Sequence, residues 1–244
     1  MNKYRRTFVD DQLVIDSFES VEKYLIDLQD RNLDSLASLK QWLKDKSELE
    51  AVLEEDMAWR YIRMSIDTGN ETHQKSYTFF VTEIQPKLAP IDDVLNKKFI
   101  ACPYVSELEK DEAYAIHIRS VKSQLDLYRE ENIAIQAFLA EKTQEFGAVS
   151  GAQSIEHEGE TITMQKAGLL LKEQNEPLRK SVFEKMAEKR CADVSTLDGL
   201  FDTLVNKRTA LAKNAGFDNY RDYKFKQMGR FDYTDGYLMD RTHL

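Results

Sequence analysis

Cysteine, proline and glycine are all scarce, with two, four and nine residues respectively in a chain of 244. Cys102 and Cys191 stand far apart and outside any C-x-x-C spacing. The sequence therefore offers neither a disulfide framework nor a thiolate zinc site, and it suits a reducing compartment. Positive charge is also short: 34 Lys and Arg against 43 Asp and Glu leave a net charge of -9. No basic cluster of the kind that neutralises phosphates is present, which argues against nucleic acid as a partner. No run reaches the ~18 apolar residues that a membrane span needs. The opening MNKYRRTFVDDQLVID has basic residues without the apolar stretch of a signal peptide. A cytoplasmic protein is expected, with no nucleic acid and no membrane as partner.

Few Gly and Pro leave long stretches free to be helical. Apolar residues recur at Leu36, Leu39, Leu43, Leu49, Val52, Leu53, Met57, Ile62 and Ile66, which predicts one long helix over about 33 to 67 with that stripe buried. Gly69 suits its stop, and Asn70 can cap a following helix whose apolar face carries Tyr77, Phe80, Val81 and Ile84. Pro86 and Pro90 each lack an N–H, so that helix is expected to end or kink near Gln85 and to resume over about Asp92 to Ile100. Further helices are predicted at about 15 to 29, 111 to 127 and 131 to 147, with ACPYVS as a break.

Near residue 150 the pattern changes. SIEHEGETITM alternates branched and polar residues around Glu158-Gly159, and Gly supplies the positive φ of a tight turn, so one small β-hairpin is predicted near 154–164. Helical spacing then returns, with Pro177 in a first turn and a helix over about 197 to 215 that Gly216 ends, Phe217 making the accompanying apolar contact. Asp218 or Asn219 can cap one more short helix carrying Tyr220 and Tyr223, which Gly229 stops. The fold class is mainly α.

The search for chemistry is mostly negative. The histidines are His73, His117, His157 and His243, and none has a second His four residues on, as the H-E-x-x-H helix of a zinc peptidase requires. His157-Glu158 is a His-Glu pair, but Thr161 follows where the second His would stand, and the pair falls on the predicted turn. Three residues before each His stand Asn70, Tyr114, Ser154 and Asp240, which removes the Glu-x-x-His of di-iron bundles. No G-x-S-x-G, G-x-x-x-x-G-K-[ST] or G-x-G-x-x-G occurs. The acidic residues read as solvated helix faces, His117 as a packed structural residue, and Cys191 as a small buried or half-buried one.

An ordered set of segments nevertheless resembles a known family. RNLDSLASLKQWLKDKSELEAVLEED (31 to 56), SIDTGN (65 to 70), FFVTEIQPKLAP (79 to 90) and YREENI (128 to 133) come first. The hairpin IEHEGETITMQKA, the helix EPLRKSVFEK with Arg179, and LFDTLVNKRTALAKNAGFDNYRDYKF closing on GRFDYT follow. Together they are similar to the N-terminal portion of the oligoendopeptidase F type of zinc metallopeptidases, relatives of thimet oligopeptidase. The last block is the most specific: Arg208, Ala212, Gly216, Phe217, Asn219, Tyr220, Tyr223, Arg230, Asp232 and Tyr233 occupy signature positions.

The resemblance implies the multi-helix N-terminal region of a zincin-like oligopeptidase. In that family a helical N-terminal region and a helical catalytic region wall a channel in which zinc-bound water cleaves short peptides. The H-E-x-x-H helix, the third glutamate ligand and the oxyanion-stabilising Tyr and His all lie beyond the RFDYT block. No catalytic or metal residue is carried over to this chain, and zinc is expected in the full-length enzyme but not here. The implied division is an N-terminal helical region over 1–149, the hairpin with the start of the catalytic-side helical region over 150–234, and an atypical tail over 235–244, where DGYLMDRTHL departs from the family's continuation. An inactive channel-wall part of a peptidase is one reading; a non-catalytic helical peptide- or protein-binding module is the other. The rings Phe217, Tyr220, Tyr223, Phe225, Phe231 and Tyr233 are expected to pack against the missing catalytic half, leaving residues beyond about 229 poorly ordered or held by another copy, with self-association.

Overall fold

A computed structural model describes residues 6–233. The tail over 235–244, with Thr234 and His243, lies outside the described residues. Helix α1 spans Glu19–Asp30 and α2 spans Leu36–Ile66. Ser35 starts α2 with a full capping box: the Ser38 N–H donates to Ser35 Oγ at 3.1 Å, and the Ser35 N–H donates to Ser38 Oγ at 3.0 Å. Asn70 caps α3, Glu71–Phe79, by accepting from the N–H groups of Thr72 and His73.

Near Gln85 the α-helical ladder is interrupted as expected, but the chain does not leave the helix. A π turn over Phe80–Ile84 runs straight into α4, Gln85–Ala101. The Gln85 N–H reaches back five residues to the Phe80 carbonyl, and the Thr82 hydroxyl takes the Thr78 carbonyl at 2.9 Å. The extra residue in that turn places Pro86 in the first turn of α4, where a missing N–H removes no bond. Pro90 stays inside α4 and forfeits one bond, while Leu88, Leu95 and Phe99, buried on either side of it, hold the helix in place.

ACPYVS contains the predicted break, at Cys102, but also starts the one-turn helix α5, Val105–Leu108. Helices α6, Glu112–Leu127, and α7, Glu131–Gly151, follow. Strands β1, Ser154–His157, and β2, Glu160–Thr163, pair antiparallel with Ile155 opposite Ile162. The turn between them has φ of 52° at Glu158 and 84° at Gly159, the two positive values of a type I′ hairpin. This pair forms the one sheet among the described residues. The remaining elements are α8, Met164–Leu170, α9, Glu176–Ala192, α10, Val194–Asn214, and α11, Tyr220–Gln227.

The largest core joins α1, α2, α4, α5 and α6 around Trp42, whose indole is fully buried, stacks on Phe99 at 6.3 Å and donates to the Leu28 carbonyl at 2.8 Å. Lys98 Nζ on α4 donates to the carbonyls of Leu28, Gln29 and Arg31, satisfying the orphan acceptors at the end of α1. Glu48 on α2 pins the N-terminal segment: its carboxylate accepts from the N–H groups of Thr7, Phe8 and Val9 at 2.7 to 3.0 Å. A second cluster joins the end of α6 with α7, α10 and α11, and a third packs the hairpin on α8 and α9 through Ile155, Ile162, Val182 and Met186.

Two burial expectations change. The apolar stripe of α2 does not stay buried to its end, because α3 and the π turn pack on the side of Met64, through Tyr77 and Val81; Ile62 and Ile66 face solvent. Cys191 is exposed, since Val182 and Met186 define the packed face of α9 and Cys191 falls outside it.

Candidate functional site

The signature residues of the C-terminal block are brought together as one structural unit. At the end of α10 the Phe217 N–H donates to the Ala212 carbonyl at 3.0 Å and the Gly216 N–H to the Lys213 carbonyl at 2.9 Å, a complete Schellman motif with Gly216 at φ 85°. That stop turns the chain so that Phe217 meets Tyr223 edge-on at 5.7 Å and Tyr220 stacks on Tyr223 at 6.0 Å. Asn219 caps α11 by accepting from the Asp222 N–H at 3.0 Å. Arg208 lies over Tyr220, with 5.7 Å from guanidinium to ring centre. Tyr223 is buried, which raises its phenol pKa against the opposing hydrogen bond from Gln136.

The last described residues make contacts within the chain. Arg119 on α6 pairs with Asp232 at 2.8 Å and lies 4.2 Å over the Phe231 ring; Arg230 covers Phe225, and Tyr233 packs edge-on against Phe225. The aromatic block thus has partners within the chain through 233. The distant segment YREENI closes on the same unit. Asn132, buried at the start of α7, donates to the Leu211 carbonyl at 3.0 Å and accepts from Asn214 Nδ2 at 2.8 Å, while Arg129 Nε donates to the Asn214 carbonyl at 3.2 Å.

This clamp fixes one wall of the main groove. A cavity of about 540 Å³ lies between α2, the π turn, α4, α6 and α7, and a second of about 510 Å³ runs on between α6, α7 and α11. Gln124, Tyr128 and Gln136 border both. The first cavity is lined by the carboxylates of Glu50, Glu54, Asp92 and Asp93 and by no Lys, Arg or His. Burial pushes the Asp92 carboxyl up to about 6; Lys46 opposes this and Glu50 adds to it. His117, packed on Phe99 at 5.5 Å, is lowered first by burial and then by Lys46, so it sits as a structural imidazole. Asp93 is buried; its Oδ2 holds Lys97 at 2.6 Å, and its Oδ1 has no hydrogen-bond partner among the described residues.

These groove residues were not singled out in the sequence, although a signal existed. Asp92 occupies a position on the apolar stripe Leu88, Asp92, Leu95, Phe99, where a carboxylate is out of pattern. Among the described residues no three His, Cys, Asp or Glu side chains come together in a way that would hold a metal ion. No helix among them is long and apolar enough to cross a membrane.

Comparison with known proteins places this architecture. Residues 8–128 match the family model of the peptidase M3 N-terminal domain. No sequence among curated proteins matches. The fold is similar to that of a protein assigned as an oligoendopeptidase F, with a TM-score of 0.83 and 22% identity over 98% of this chain and 41% of that one. An oligoendopeptidase F assignment from Bacillus anthracis str. Ames gives 0.82 and 20% over 98% and 43%, and PZ peptidase A, solved with an inhibitor, gives 0.79 and 21% over 98% and 41%. The chain therefore spans about two fifths of the length of these structures. The N-terminal half of the chain is thus similar to the M3 peptidase N-terminal domain, and over nearly all its length the chain has the fold of the oligoendopeptidase F structures.

Proposed function

We propose that this chain is the N-terminal, channel-wall part of a zinc-dependent oligoendopeptidase that hydrolyses short peptides in the cytoplasm. Its share of the work is to hold and orient the peptide. The observation that carries this reading is the likeness in fold over 98% of the chain to two fifths of oligoendopeptidase F, together with the M3 domain match over 8–128. The groove supports it, because side-chain amides of Gln85, Asn96, Gln124 and Gln136 line it and can pair with the N–H and C=O groups of an extended peptide. Hydrolysis would be supplied by a catalytic region holding zinc outside these residues. A catalytic half, or a second copy, would dock on the large apolar side chains Phe183, Phe201 and Val205, exposed on α9 and α10.

The test uses the purified full chain with a quenched fluorescent peptide and added zinc. The expected result is peptide binding with no chelator-sensitive cleavage, and cleavage that appears when the catalytic region of an oligoendopeptidase F is supplied as a separate chain. Chelator-sensitive cleavage by this chain alone would overturn the assignment of roles. Binding that no catalytic region ever converts into cleavage would favour the second reading, a helical peptide-binding module, which rests on the groove alone.

A further inference from the structure

Gln124, Tyr128 and Gln136 border both cavities of the groove, so a chain that runs from one cavity into the other passes them. All three are polar, and Gln124 and Gln136 are exposed side chains on two different helices, α6 and α7. Their amides are not free to turn. Asn96 on α4, 7% exposed, donates through Nδ2 to Gln124 Oε1 at 3.2 Å. That bond occupies the oxygen end of the Gln124 amide and leaves Nε2, a donor, unpaired among the described residues. Gln136 is held by its other end. Burial raises the Tyr223 phenol pKa, and the hydrogen bond from Gln136 opposes the rise, as a donor to the phenol oxygen does. The Gln136 Nε2 is thus engaged, and its Oε1 has no partner among the described residues. The crossing between the cavities therefore carries one fixed donor and one fixed acceptor. In an extended chain the N–H and C=O of a single residue lie on the same edge of the backbone and present the complementary pair.

We propose that Gln124 and Gln136 form a main-chain clamp for one residue of an extended peptide, Gln136 Oε1 accepting its N–H and Gln124 Nε2 donating to its C=O. Asn96 and Tyr223 are positioning residues that keep the two amides from exchanging their ends. A clamp of this kind reads no side chain. It does require an N–H, so the substrate class is peptides with any residue except proline at the crossing. The proposal rests on the peptide-binding reading above and names the main-chain requirement that reading left open.

A scan of backbone N-methyl groups tests it. Fluorescence anisotropy compares binding to the full chain of a labelled short peptide and of variants each methylated at one nitrogen. Methylation at one position is expected to weaken binding about tenfold, the loss of one hydrogen bond, and at the residues on either side by less than about threefold. Proline at the sensitive position should act as the methyl group does. Gln136→Met should weaken the parent peptide about tenfold and bind it and the sensitive N-methyl peptide within about threefold of each other, because the acceptor that the methyl group blocks is gone. Similar losses at every position, or a tenfold penalty that persists in Gln136→Met, would overturn the clamp and leave the peptide-binding reading standing. No binding by the unmethylated peptide would overturn both. The substituted side chain is exposed, and the scan on the wild-type chain decides the matter even if the variant fails to fold.

Discussion

Replacing Asn132 by Ala should loosen the joint between α7 and α10 and measurably destabilise the chain. Asn132 is 1% exposed; it donates to the Leu211 carbonyl at 3.0 Å and accepts from Asn214 Nδ2 at 2.8 Å. Two buried hydrogen bonds contribute on the order of 1 kcal/mol each. The missing amide leaves a small void that adds roughly another 1 kcal/mol. Two features limit the loss. The Leu211 carbonyl keeps the Ala215 N–H at 3.4 Å, and half-buried Asn214 can turn to water. The expected cost is about 2 to 3 kcal/mol, which for a chain of this size lowers Tm by roughly 5 to 10 °C. Asn214→Ala should cost about 1 kcal/mol, and the double variant less than the sum of the two, because they share one bond. Urea unfolding followed by circular dichroism gives the global figure. Amide exchange across 211–217, which carry the Schellman turn, gives the local one and stays informative if unfolding is not two-state. A loss below about 0.5 kcal/mol with unchanged exchange at Leu211 to Phe217 would refute the claim that this amide couples the two segments.

Two further substitutions probe carboxylates of opposite character. Burial raises the pKa of Glu48, but the N–H groups of Val9, Phe8 and Thr7 outweigh it and hold the group below its ordinary value. Its stabilisation is therefore present above the unfolded value of about 4.3 and is lost as pH falls through the lower folded value. Glu48→Gln should cost about 2 to 3 kcal/mol near neutral pH and remove that acid-side loss, as chemical unfolding at a series of pH values would show. Asp92 behaves in the opposite sense. Its folded pKa is raised to about 6, so the folded state binds the proton more tightly and stability falls as pH rises from about 4 towards 6. Asp92→Asn should flatten that slope and stabilise the chain near neutral pH by about 2 kcal/mol; an unchanged slope would show that Asp92 is solvated.

What the sequence determined by itself is what depends on neighbours within a few positions. Asn70 and Asn219 cap helices because an amide oxygen reaches an N–H two or three residues on. Glu158-Gly159 turns the hairpin and Gly216 stops α10 because those backbone angles are set locally, and the order of the segments was enough to carry the family resemblance. Tertiary structure decided what depends on partners brought from far away. Pro86 is accommodated only because a π turn shifts it into the first turn of α4. Ile66 stays in solvent because Met64 is the residue that α3 and the π turn cover, and Cys191 is exposed because the hairpin takes the opposite face of α9. The aromatic block finds its partner on α6 through Arg119, which lies 113 residues from Asp232. The groove belongs to the same class: Asp93 and Gln124 are ordinary polar residues on separate helices until α4, α6 and α7 bring them to the wall of one cavity.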